Sequence, residues 1–160
     1  MKAGNMKALV VLVLCVMLPI CAIAGETGYK VTYDGGSIAD TKAGTDLKLK
    51  IEGDHIRFTR DGKDFVTIPA SAVTEISYGQ DVHRRVGSAI GLAVFSFGLG
   101  ALLALSKSKK HFVGITWADG DKKGGLVFQA DKNEYRGILM GLEGVTGKKA
   151  IDSDAMTVKN

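Results

Sequence analysis

The sequence predicts a mainly β protein: a small antiparallel barrel of about seven strands, closed by a C-terminal α-helix and interrupted between strands by an apolar helical or hairpin insert. Three observations predict it. Short stretches alternate apolar and polar residues with the period of two that gives a strand one buried face, and glycine-containing turns separate them. The last apolar stripe has helical spacing instead. Between them, Val86 to Leu105 reads VGSAIGLAVFSFGLGALLAL, twenty residues without a charge. As one helix it would be about 30 Å long, the thickness of a bilayer's hydrocarbon core.

Taken in order, the chain opens with Lys2 and Lys7, an apolar run from Ala8 to Ile20, and Ala22-Ile23-Ala24 before Gly25. That is the anatomy of a secretory signal peptide over residues 1–24, cleaved after Ala24, and Met6 opens an equally good one. Ile20 before Cys21 argues against a lipid-attachment signal. Cleavage leaves residues 25–160, with 19 basic and 17 acidic groups, enough chain for one domain with a core. Cys15 and Cys21 leave with the signal, so the exported protein is expected to have neither disulfide nor thiol chemistry. A balance this close to neutral, outside the cytoplasm, argues against nucleic acid as a partner.

Tyr29 to Tyr33 alternates as a strand and Asp34-Gly35-Gly36 ends it. Leu47, Leu49 and Ile51 alternate with Lys48, Lys50 and Glu52; Gly53-Asp54 turns this strand into His55 to Thr59, a hairpin. Asp61-Gly62-Lys63 turns again into Asp64 to Ile68, which Pro69 breaks. Ala70 to Ala72 reads as a short turn before a strand from Val73 to Tyr78. After the insert, Val113, Ile115 and Trp117 share one face of a strand starting at His111, and Asp119-Gly120-Asp121 turns it into Gly125 to Gln129. Asp131 and Glu134 then form a capping pair for a helix whose stripe is Tyr135, Ile138, Leu139 and Leu142, stopped at Gly144 or Gly147. Residues 148–160 read as a polar, frayed tail.

This order of hairpins, the stretch Thr67-Ile-Pro-Ala-Ser-Ala-Val-Thr-Glu-Ile-Ser-Tyr78, the later strand pair and the helix Asp131 to Gly144 resemble bacterial pleckstrin-homology-like domains, including GRAM-like members. The resemblance covers most of residues 28 to 147 within a single domain over 25–147, and implies the barrel and its closing helix. Phosphoinositide-binding members carry Lys then Arg-x-Arg across the first hairpin. Lys48, Lys50, Arg57 and Arg60 depart from that spacing, so the ligand is not carried over.

Little in the chain suggests catalysis or a cofactor. Asp119 to Gly124 begins like a calcium loop, but Lys123 and Ala130 fall where oxygen ligands belong. Gly144 to Lys148 resembles half a phosphate loop, yet it ends a helix instead of opening one. His83 and His111 bracket the insert, two ligands at most, and metal sites need more. No carboxylate pair is placed for acid and base work, and no Gly-x-Ser-x-Gly elbow occurs. The expectation is a non-enzyme with no metal and no cofactor.

The functional signal is the insert, residues 86–105. Gly87, Gly91, Leu92, Val94, Phe95, Phe97, Gly98, Leu99, Gly100, Leu102 and Leu103 are expected to enter lipid, and His83, Arg84, Arg85, Lys107, Lys109, Lys110 and His111 to collar it among anionic headgroups. The expected protein is a binding or scaffolding module held at a membrane surface of the periplasm or cell envelope. Two alternatives stand beside it. Gly87, Gly91 and Gly98 fall near one helix face and could pack helices in an oligomer or against a protein partner; or the insert is a buried core helix of a soluble domain.

Overall fold

The computed structural model describes residues 28–38, 41–91 and 111–156. The segments expected to be a signal peptide and most of the insert, including Leu92 to Leu103 and Lys107 to Lys110, lie outside the described residues.

Eight strands form one sheet: β1 (Tyr29–Gly36), β2 (Thr45–Glu52), β3 (His55–Arg60), β4 (Lys63–Pro69), β5 (Val73–Tyr78), β6 (His111–Asp119), β7 (Lys122–Ala130) and β8 (Ala150–Asp152). Two α-helices accompany them, α1 (Val82–Ile90) and α2 (Tyr135–Thr146). The order across the sheet is β4-β3-β2-β1-β7-β6-β5-β8, antiparallel throughout except for the parallel β5–β8 pair.

Alternation builds the core as expected. Val31 and Tyr33, Leu47 and Leu49, Ile56 and Phe58, Val113 and Ile115, and Leu126 and Phe128 are buried on one face, joined by Ile138 and Leu142 of α2. That face is concave. Phe58 and Phe128 sit on strands with two others between them, a separation of about 14 Å in a flat sheet, yet their rings meet edge to face at 5.5 Å. Tyr33 and Phe65, equally far apart in strand order, approach to 6.3 Å. The sheet therefore curls around its own side chains, and α2 lies against β2, β5 and β6 of both halves.

The curl does not make the expected closed seven-stranded barrel. Pro69, which offers no N–H to extend β4, and the 3-10 turn Ala70–Ala72 carry the chain from β4 to β5, and no ladder joins those two strands. β4 stays an edge, its exposed Lys63 and Asp64 discouraging further pairing. The other edge is taken by β8, which comes from the tail expected to fray. Ala150 N–H donates to Glu143 Oε1 at 2.7 Å, and Ser153 bonds Tyr78 O through both its N–H (2.8 Å) and its hydroxyl (2.7 Å).

The start of α2 also differs. Asp131 accepts Asn133 N–H on Oδ1 at 2.8 Å, and its carbonyl accepts the N–H groups of Glu134 and Tyr135. It shapes the turn before the helix, and the N-cap position falls to Glu134, whose side chain makes no cap bond. Gly147, in the left-handed conformation at φ 69°, ends the helix as glycine can without steric cost.

Candidate functional site

The sheet's convex face carries the root of the apolar segment. The first residues of the expected insert, Val86 to Ile90, are the second half of α1, which packs on β5, β6, β7 and β1. Val82 and Val86 are fully buried there with Phe112 and Val127, and Ile90 packs beside them. Phe112 and Val127 alternate with the core residues Val113, Leu126 and Phe128, so β6 and β7 are apolar on both faces.

Two glycines let the helix sit this close. A methyl group at Gly114 would lie 2.6 Å from Val86 Cγ2 and 2.8 Å from Val82 Cγ1; one at Gly125 would lie 2.8 Å from Val86 Cγ1 and 3.1 Å from Ile90 Cγ2. The close-approach glycines thus belong to the sheet. On α1, Gly91 caps the helix at φ 67° with open space around it. The helix stops there, so Gly87, Gly91 and Gly98 do not line one uninterrupted helix.

Polar contacts hold α1 at three places. Asp154 Oδ1 accepts the N–H groups of Gln80 (2.6 Å) and Asp81 (3.1 Å) just ahead of the helix, putting negative charge at its positive end. Arg85 grips Glu75 of β5 with two parallel bonds, Nε to Oε1 at 2.6 Å and Nη2 to Oε2 at 2.8 Å. The Glu75 carboxylate holds the guanidinium above its usual pKa. Third, a bulge in β1 between Tyr33 and Gly35 turns Asp34 toward the helix. Asp34, 5% exposed, pairs through Oδ2 with Nε2 of His83, and the His83 ring packs edge-on against Phe112 at 5.0 Å.

Of the expected collar, then, His83 and Arg85 are tied to carboxylates of the sheet, and Arg84 is exposed. His111 stacks on Tyr135 at 4.1 Å, with the Arg136 guanidinium 5.8 Å from the same ring. His83 and His111 take separate partners. Among the described residues no group of three or more His, Cys, Asp or Glu is placed to hold a metal, and no helix is long and apolar enough to cross a membrane.

Sequence reasoning missed Asp34, Glu75 and Asp154 as anchors: Asp34 and Asp154 are remote in sequence from the helix they hold, and Glu75, ten residues before Arg85, lies on a different element. The run Val82, Val86 and Ile90, at i, i+4 and i+8, is the signal for the helix itself. A separate cavity of about 360 Å³ lies under the β1–β2 connection, lined by Tyr33, Gly35, Gly36, Ile38, Thr41, Lys42 and Ala43. Burial pushes the Tyr33 hydroxyl above its usual pKa, and a hydrogen bond with the Ile38 backbone opposes it.

No protein-family model matches this chain, and no curated protein matches it.

Proposed function

We propose that the protein is an exported, non-catalytic binding or scaffolding module of pleckstrin-homology-like fold, held at a membrane surface by Leu92 to Leu105 and the basic groups around that segment. The observation that carries this reading is the anchoring of both ends of the segment in one sheet. Gly91 follows a helix locked onto the convex face, and His111 is the first residue of β6. A single crossing would put those ends on opposite sides of a bilayer; two crossings need about forty residues. With Val86 to Ile90 committed to α1, the apolar run from Leu92 to Leu105 would measure only about 21 Å as a helix, short of the roughly 30 Å core. A run that apolar, tethered at both ends, suits shallow insertion into one leaflet. The order of hairpins and the C-terminal helix support the pleckstrin-homology-like comparison.

A second reading keeps the segment as part of a soluble core, and the burial of Val86 against β6 and β7 favours it. Vesicle flotation separates the two. The mature chain should float with anionic vesicles, and replacing Leu92 to Leu105 by a glycine-serine linker of equal length should abolish this while the domain stays folded. Equal flotation of both proteins, or of neither, would overturn the membrane reading; a monomer that never floats would favour the soluble one.

A further inference from the structure

The structure assigns a ligand site to the cavity under the β1–β2 connection, one that takes a small organic carboxylate: Tyr33 and Lys42 hold the carboxylate, and Ile38 and Ala43 flank its apolar body. The assignment stands apart from the membrane reading and uses no part of the apolar segment.

The cavity has its cause in the register. The β1–β2 ladder ends at the pair Tyr33 and Thr45, and beyond it Gly35 and Gly36 pair with β7 alone. The bulge there turns Asp34 toward α1, and the two glycines that follow have no side chains to fill the space beside them. About 360 Å³ is left open, at the small end of the roughly 300 to 1,000 Å³ that ligand pockets span. Hydrogen bonds fix the rim on both sides. Where the chain leaves β1, Ser37 N–H donates to Gly125 O at 2.8 Å and the Ser37 hydroxyl accepts Gly125 N–H at 3.0 Å. Where it returns to β2, Gly44 N–H donates to Tyr33 O at 2.8 Å and the Thr45 hydroxyl to Lys42 O at 2.7 Å.

Two groups on the wall give the cavity a preference for negative charge. Tyr33 is 2% exposed. Burial raises the pKa of its hydroxyl, and a hydrogen bond with the Ile38 backbone opposes the rise; a bond of that sign is one the oxygen accepts, because it favours the charged form. The hydroxyl proton is then left for another partner, and among the described residues no acceptor takes it. A buried donor left without an acceptor is costly, and an oxygen in the cavity would answer it. Lys42, also on the wall, is exposed and makes no ion pair among the described residues. None of the residues lining the cavity is acidic. Asp34 and Asp46, which flank this stretch, are turned to the other face of the sheet, Asp34 to pair with His83 and Asp46 to accept the Thr32 hydroxyl at 3.1 Å. A hydroxyl donor and an ammonium group with no carboxylate beside them suit an anionic oxygen. Ile38, Ala43 and the Tyr33 ring suit a short hydrocarbon body attached to it, in a space larger than an inorganic anion needs.

The test titrates the protein with hexanoate, 1-hexanol and hexylamine and follows the amide resonances of Gly35, Gly36 and Ala43. Hexanoate should shift them and bind about fivefold or more tightly than either of the others. Lys42→Gln should weaken hexanoate about threefold to fivefold, as loss of an exposed ion pair does, and leave 1-hexanol unchanged. Tyr33→Phe should weaken hexanoate about tenfold, as loss of a hydrogen bond to a charged group does. Ala43→Leu, which fills the cavity, should remove hexanoate binding while the other amides keep their parent positions; Lys42 is on the surface, so its variant reads the charge without disturbing the fold. Hexanoate that leaves the three amides unmoved at about 20 mM would overturn the assignment. Equal affinity for the three probes would also overturn it, by showing an apolar hole with no charge preference, and hexanoate binding that survives Ala43→Leu would place the carboxylate elsewhere on the molecule.

Discussion

If α1 is seated by the glycines beneath it, then Gly114→Ala should lift it. The new methyl carbon would sit 2.6 Å from Val86 Cγ2, 2.8 Å from Val82 Cγ1 and 2.9 Å from Ser77 Oγ, about 1 Å inside the normal separation of roughly 3.5 to 4.0 Å. Neither valine can swing aside freely, because β-branched side chains are stiff at χ1. Overpacking of this kind costs about 1 to 3 kcal/mol. Against it, alanine in a strand restricts the unfolded chain and returns roughly 0.5 to 1 kcal/mol. The clash should win, with a net loss of about 1 to 2 kcal/mol. Urea unfolding gives the total, and hydrogen exchange of residues 82–90 shows whether the loss falls on α1. Val86→Ala alone should cost about 2 kcal/mol through lost burial and the cavity left behind. In the double variant the worst contact disappears, so the two losses should fall short of additive by about 1 kcal/mol. Gly53→Ala is the control, since nothing lies within 4 Å of the added methyl. Unchanged stability and unchanged exchange in Gly114→Ala would refute the seating argument.

Removing Asp34 leaves His83 facing a buried vacancy; Asp34→Ala should cost on the order of 2 kcal/mol in urea unfolding, less than a fully buried pair because the His83 side chain is 18% exposed, and a loss below a few tenths would show the pair idle. Arg85→Gln should act on stability and leave the affinity of the folded protein for anionic vesicles nearly unchanged, whereas Arg84→Gln should do the reverse; vesicle binding and thermal melting of each variant separate the two roles. Alkali should destabilise the fold: burial pushes the Tyr33 hydroxyl up, and burial followed by the Asp152 carboxylate raises Tyr78. A folded pKa above the unfolded one means that the unfolded chain ionises first, so this stability is present below about pH 10 and lost above it. Tyr33→Phe should flatten the alkaline limb of stability against pH, and an unaltered limb would assign it elsewhere.

The strands were legible because alternation is a local signal: the strand from Val73 to Tyr78 and the starts of those at Tyr29, His55 and His111 are where the pattern puts them. Strand ends ran further than the pattern, since Thr45, Asp119 and Ala130 are drawn in by ladder partners. Barrel closure was not legible, because whether two edges meet depends on curvature, and nothing local to Pro69 reports it. The twenty-residue apolar run misled in one respect. Its first five residues serve a helix that begins earlier, at Val82, where the polar side chains of His83, Arg84 and Arg85 hide the stripe. His83 and Arg85 are met by carboxylates about 50 and 10 residues upstream, and no spacing rule connects them. Tail residues 150–156 looked frayed because a three-residue parallel strand and a carboxylate that meets the N–H groups ahead of a distant helix leave no periodic trace.

The most direct test of the central claim, that the apolar segment departs from and returns to one face of a single domain without crossing, is its sidedness. Cysteines placed singly at Gln80 and Ser108, in a chain whose Cys15 and Cys21 are replaced by serine, would be labelled on intact vesicles with an impermeant thiol reagent. Both sites should react to the same extent before the vesicles are opened. Labelling of one site alone would mean that the segment crosses, and the two halves of the sheet could not then belong to one domain.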